Sequence, residues 1–183
     1  MFEQVIQSIT SYASLSDEEI ESFTKRMQLH QFSKGEHLLE AGNVCMSWSF
    51  VASGSFREYH FDQELNEVTT NLFTENTWAL NHSSFTGQLP SKSKIEAFED
   101  SEVLQLTIHD LHHLIGEFPA FFALGKILEV DSKKPKPSAN PEEKYLWLLK
   151  HNPTIIQKFP LKYIASFLGM TPETLSRVRS KIQ

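Results

Sequence analysis

Residues 160–182 read PLKYIASFLGMTPETLSRVRSKI, and the rest of the chain is parsed outward from this stretch. Ile164, Ala165 and Leu168 share one face at helical spacing, and Gly169 follows where a helix end favours a left-handed residue. Thr171 then offers an N-cap hydroxyl, Pro172 suits the first helical position, and Glu173 places a carboxylate at the positive end of the helix dipole. Leu175, Val178 and Ile182 recur at i, i+3 and i+7, which leaves Thr174, Arg177, Ser180 and Lys181 on outer faces. Two short helices about a glycine turn, the second rich in exposed Arg, Ser and Thr, make the pattern of a DNA-reading helix-turn-helix. A plain helical hairpin is the alternative.

Charge supports a division of the chain ahead of this stretch. Residues 1–131 carry 7 Lys/Arg against 20 Asp/Glu, whereas residues 132–183 carry 10 against 3. An overall charge of −6 thus conceals a basic C-terminal third on an acidic body, the distribution expected of a nucleic-acid-binding tail. A solvated basic helix pair without a partner would give the same sums. Asp131–Pro141, with three prolines and three lysines, reads as a linker between residues 1–130 and a helical domain over 142–183.

The N-terminal part begins with two short helices, over 2–13 and 17–27, the second capped by Ser16 and opened by Asp17, Glu18 and Glu19. From Leu29 to Leu106 the period changes to short alternating runs such as Trp48–Ala52, Phe56–Phe61, Glu67–Phe73 and Glu102–Leu106. Gly35, Gly42, Gly54 and Gly87 punctuate them, the pattern of an antiparallel roll or sandwich. Helical spacing returns over His109–Glu129. The expected fold class is therefore α+β: an antiparallel double-stranded β-roll of jelly-roll type flanked by helices, followed by a small helix-turn-helix domain. No apolar run approaches a membrane span and the N-terminus lacks the pattern of a secretion signal. With Cys45 alone, no disulfide can form within the chain, so a reducing cytoplasm is expected.

Residues 160–182 resemble the recognition segment of the Crp/Fnr family of transcription regulators, with Ala165, Gly169, Thr174, Leu175, Ser176 and Arg177 at matching positions. The resemblance extends upstream. Lys34-Gly35-Glu36, Leu38, Glu40, Gly42, Val51, Gly54 and Arg57 fall on the pattern that opens a cyclic-nucleotide-binding domain. It implies that Glu173 accepts from cytosine and that Arg177 forks onto guanine, with Thr171, Thr174, Ser180, Lys181 and Lys162 as further contacts to double-stranded DNA. Pro172 stands where the family often has an additional Arg, and only Gln183 follows the helix, so no wing strand is expected.

The resemblance also implies a ligand motif, from which this chain departs. The family holds the cyclic phosphate with a Gly-Glu turn and an Arg-Ser/Thr pair; residues 76–94 contain no Gly-Glu turn and no arginine. Ser91 and Lys92 occupy roughly the Arg-Ser place, and a lysine there would act as a point charge without the guanidinium fork. Cyclic AMP is therefore not expected to bind in the family's usual way. Trp78, Phe85, Ser91, Lys92, Lys94, Phe56 and Phe73 are the candidate residues of a pocket for an unidentified small-molecule effector, and the aromatic ones could equally be plain core.

No cofactor, metal site or catalytic residue is expected. His109, His112 and His113 include an i, i+4 pair without a third ligand in view. Gly54, His60, Asp62 and Glu67 loosely echo a first cupin motif, but a second is absent, which makes a cupin-like metalloenzyme a remote alternative. A ligand- or protein-interaction module that does not bind DNA is the nearer one. The family dimerises through a long helix after the roll. The candidate here, Ala120–Glu129 with Phe121, Phe122, Leu124, Ile127 and Leu128, is cut short by Pro135, Pro137 and Pro141. A homodimer with a short helix contact and a flexible hinge is expected, a monomer being the alternative.

Overall fold

The computed structural model describes residues 1–125 and 135–182. Helix α1 spans Phe2–Thr10 and α2 spans Asp17–Arg26. Ser16 Oγ accepts the Glu19 amide at 3.3 Å while the Glu19 carboxylate accepts the Ser16 amide at 2.7 Å, a complete capping box. Helix α1 stops short of the expected residue 13. The Thr10 hydroxyl donates to the Ile6 carbonyl at 2.7 Å and the Ser11 hydroxyl to that of Ser8 at 2.6 Å, competing with the backbone of the last turn.

Strands β1 (Gln28–Phe32), β2 (His37–Leu39), β3 (Ser47–Ser53), β4 (Ser55–Phe61), β5 (Glu67–Thr74), β6 (Trp78–Ala79), β7 (Lys94–Ala97) and β8 (Ser101–Thr107) build two four-stranded antiparallel sheets. Their orders are β1-β8-β3-β6 and β2-β7-β4-β5. Apart from the β4–β5 pair, consecutive strands fall in different sheets, as in a roll rather than a meander. Strand β3 is buried on both faces, with Trp48, Ser49, Phe50 and Val51 all inaccessible, because the first sheet lies between the second sheet and the helices. Short helix α3 (His82–Gly87) connects β6 towards β7, and α4 (Ile108–Glu117) leaves β8 with Thr107 as its cap.

After α4, Pro119–Leu124 forms a 3₁₀ turn, whose Phe121 and Leu124 are buried. Phe121 stacks on Phe23 of α2 at 5.8 Å, so this start of the expected dimer helix packs onto its own roll, while Phe122 is 69% exposed. Ile127, Leu128 and the remainder of that helix lie outside the described residues.

The C-terminal helices are α5 (Pro141–His151), α6 (Thr154–Lys158), α7 (Leu161–Phe167) and α8 (Pro172–Ile182). Pro141, expected in the linker, opens α5 instead. Asn140 caps it through a box with Glu143, and a proline at N1 gives up only an amide that no helical carbonyl would reach. Tyr145, Leu148, Ile155, Ile164, Ala165, Leu168, Leu175 and Val178 form a second apolar core, which also takes in Leu72 of β5.

Candidate nucleic-acid interface

Helices α7 and α8 meet through a turn whose backbone groups are satisfied locally. The Gly169 amide donates to the Ser166 carbonyl at 3.0 Å and the Met170 amide to that of Ala165 at 2.9 Å, the paired bonds of a Schellman ending. Gly169 has φ +64°, which a glycine adopts without a Cβ penalty. Thr171 Oγ1 then accepts the Thr174 amide at 3.2 Å and starts α8.

Leu175 and Val178 point into the second core, and Arg177, Ser180 and Lys181 are exposed on the other side with Thr174 half-buried beside them. Arg177 lies along its own helix, with Nε on the Glu173 carbonyl at 3.4 Å. Thr174, Arg177, Val178 and Lys181 line a groove of about 490 Å³ against the start of α5. Lys181 reaches Glu142 there at 2.9 Å, an exposed pair of little strength that a phosphate could displace. The Glu173 carboxyl is held below the usual carboxylate range, by its own backbone N–H first, then by the Thr171 hydroxyl and the nearby Arg177. Glu173 is thus a charged acceptor near the start of α8. Lys162 is exposed on α7, its ammonium 4.6 Å from the Tyr163 ring.

Seven residues were expected at an effector pocket, and the structure disperses them. Phe56 and Phe85 are in the first core. Ser91 Oγ donates to the Ser93 carbonyl at 2.8 Å, Lys92 is exposed, and Lys94 is paired with Glu40 at 2.9 Å. Phe73 and Trp78 alone of the seven line the cavity beside Trp147, between the roll and the C-terminal helices. Residues 76–94 thus fold as strand β6, helix α3 and a serine-braced turn. Inside the roll the Asn81 amide donates to the buried Glu58 at 2.5 Å, and the Ser84 hydroxyl accepts the Cys45 amide at 2.9 Å. Burial pushes the Cys45 thiol up.

Sequence patterns gave no notice of the contact between roll and C-terminal helices. Arg57 is buried with its guanidinium 3.9 Å from the Tyr163 ring and 4.3 Å from that of Tyr59. Its Nη1 pairs with Glu67 at 2.8 Å and its Nε donates to Thr69 at 3.0 Å. The Thr69 amide donates to Ser166 Oγ at 2.9 Å. Lys158 donates to Glu99 at 2.8 Å, to Glu75 at 3.1 Å and to the Gly54 carbonyl at 3.2 Å. The contacts that cross from roll to C-terminal helices, Arg57–Tyr163, Thr69–Ser166 and those of Lys158, join residues far apart in sequence, so no local spacing could have announced them.

The motif histidines do not converge. His109, His112 and His113 are exposed along α4, Asp62 accepts the Glu64 and Asn66 amides in a turn, and Glu67 is engaged by Arg57. Among the described residues no group of three or more His, Cys, Asp or Glu side chains could hold a metal ion, and no helix is long and apolar enough to cross a membrane.

Two four-stranded sheets close into a roll with helices at both ends and α3 between β6 and β7, an architecture shared with known proteins. Residues 29–118 match the cyclic nucleotide-binding domain. No curated protein matches the chain. Among solved structures, FixK2 from Bradyrhizobium japonicum superposes with a TM-score of 0.67 at 15% identity, over 85% of this chain and 84% of that one. A putative cyclic nucleotide binding protein from Ruegeria pomeroyi gives 0.62 at 17% identity, over 96% and 87%. The catabolite activator protein of Thermus thermophilus gives 0.57 at 20% identity, over 92% and 84%. These coverages carry the likeness of fold beyond the cyclic nucleotide-binding roll into the helices after it.

Proposed function

We propose that this protein is a cytoplasmic transcription regulator of the Crp/Fnr type, a homodimer in which α7 and α8 form the helix-turn-helix. The observation that carries this reading is the rigid α7–α8 turn. It presents Arg177, Ser180 and Lys181 on the solvent side of a helix whose other side is anchored by Leu175 and Val178. Thr171, Glu173 and Thr174 stand at the end of α8 that would enter the major groove, and Lys162 on α7 would meet phosphate. The basic charge of residues 132–183 supplies the sequence-independent attraction. Phe122, exposed after α4, is an apolar group that a second copy would cover.

The roll is the sensing part, and it lacks the means to hold a cyclic phosphate as nucleotide-binding relatives do. No arginine lies between Arg57 and Arg177, Arg57 faces Tyr163, and the Ser91 hydroxyl is committed to its own turn.

Arg177→Ala tests the assignment. In fluorescence anisotropy against the selected operator, affinity should fall by about 1–3 kcal/mol with relaxed preference at one base pair. Lys162→Ala should weaken all sequences alike and lower the salt slope by about 1. An Arg177→Ala protein that binds its operator unchanged would overturn the placement of α8 in the groove.

A further inference from the structure

The seam between the roll and the C-terminal helices holds a half-open cavity of about 280 Å³. Phe73 and Trp78 of the roll face it from one side, Trp147 of α5 and Phe167 of α7 from the other. Two of the protein's three tryptophans therefore stand in one wall system. Trp78 is held from outside the cavity and Trp147 by a neighbour within its wall. Trp78 stacks on Trp48 at 4.0 Å with its Nε1 donating to Ser8, and Trp147 stacks on His151 at 4.5 Å. Aromatic walls fixed before a ligand arrives cost little ordering on binding.

The chemistry of the lining restricts the occupant. Not one Lys, Arg, Asp or Glu lines the cavity, and His151 is its only titratable side chain. An anion entering it would lose hydration with no guanidinium or ammonium in return, so a cyclic phosphate or carboxylate is disfavoured. The polar side chains are Asn71, Thr77, His151 and Asn152; Thr77 already donates to the Thr74 carbonyl and Asn152 to the Thr74 hydroxyl, so the lining suits a single neutral donor or acceptor on a mainly apolar body. The volume lies at the small end of ligand pockets and admits a one- or two-ring compound.

We propose that this seam cavity binds a neutral, planar aromatic small molecule and is the effector site of the protein. As an effector site it rests on the regulator reading above; as a binding site it does not. Its walls come from strands β5 and β6 and from α5, α6 and α7, so an occupant touches both the roll and the C-terminal helices that the Arg57–Tyr163 and Thr69–Ser166 contacts join. Only a ligand with different affinity for the closed and open seam can shift their balance, and this position supplies that difference.

The experiment is calorimetric titration of the full chain, without DNA, with 2-naphthylmethanol and its anionic counterpart 2-naphthoate. The alcohol is expected to bind saturably with quenching of tryptophan fluorescence, and the carboxylate at least about tenfold more weakly. Trp147→Ala, which removes the half-exposed wall, and Asn71→Phe, which fills the cavity from β5, should each weaken the alcohol by about tenfold or more. Circular dichroism melts identify whichever variant remains folded for the comparison. Absence of saturable binding to the wild type, equal binding of the two probes, or folded variants that bind like the wild type would each overturn the proposal. Failure here leaves the DNA reading intact, and a chain that binds the alcohol but no DNA keeps the site while losing its regulatory role.

Discussion

Gly54, where the chain passes from β3 in one sheet to β4 in the other, and Gly169 between α7 and α8 adopt the same kind of backbone, with φ of +87° and +64°, yet they sit in opposite surroundings. Around Gly169 the bonds that define the turn come from within a few residues, and the nearest atom to an added Cβ is the Lys144 ammonium at 3.7 Å. Around Gly54 everything arrives from far along the chain. An added Cβ would be driven into the Ser101 side chain and would come 2.8 Å from the Asp100 carbonyl, and the Gly54 carbonyl itself accepts from Lys158. One turn is made by local rules, the other by the assembled roll and its seam.

That contrast predicts unequal responses to one substitution. Gly54→Ala combines a left-handed alanine, about 1–2 kcal/mol, with overpacking against fixed backbone, about 1–3 kcal/mol. Its urea midpoint should therefore fall by the equivalent of about 2–5 kcal/mol. A loss no larger than that of Gly169→Ala would show that Ser101 and Asp100 yield freely and that the β3–β4 connection is not so tightly braced.

Gly169→Ala isolates the conformational cost, because the space for its Cβ is open. Equilibrium unfolding should register about 1–2 kcal/mol. Operator affinity should change little once the protein is folded, since the Schellman bonds persist and α8 keeps its anchors Leu175 and Val178. A large selective loss of DNA binding with unchanged stability would instead make the turn a hinge.

The same division explains what could be read from sequence. The Ser16 cap, the Gly169 ending, the Thr171 start and the strands around 48–52, 56–61, 67–73 and 102–106 depend on neighbours within a turn, and all are present within a residue or two. The effector residues are grouped by the place of the family's ligand motif and by aromatic character, neither of which says where a side chain points. The fold distributes them among core, surface and seam, because every strand connection of the roll except β4–β5 crosses from one sheet to the other. Trp147 was invisible as a wall of that cavity for the same reason: nothing near it in sequence announces β5 or β6.

The smallest effect expected is at the seam's ion cluster, and its dependence on pH makes it measurable. Glu99 is held below its ordinary pKa, chiefly by the hydrogen bond from Lys158 and also by the Ser55 hydroxyl. For Lys158, burial works to lower the pKa, but hydrogen bonds to Glu99 and Glu75 outweigh it and leave the ammonium above the usual lysine value. A carboxyl whose pKa is depressed by folding contributes stability above its unfolded pKa and loses it as pH falls through the folded one. The Lys158 contribution runs the other way, complete below the ordinary lysine pKa and lost only as pH rises through the higher folded value. At neutral pH both are in force. Glu99 is nearly half exposed, so solvent screening holds its share to about 1 kcal/mol or less. Urea midpoints of wild type and Glu99→Gln, taken from pH 7 down to pH 3, should differ at neutrality and converge once the acid limb has protonated Glu99. A gap that stays constant across that range would mean that the amide lacks only a hydrogen bond, and that charge has no part in holding Lys158 and α6 against the roll.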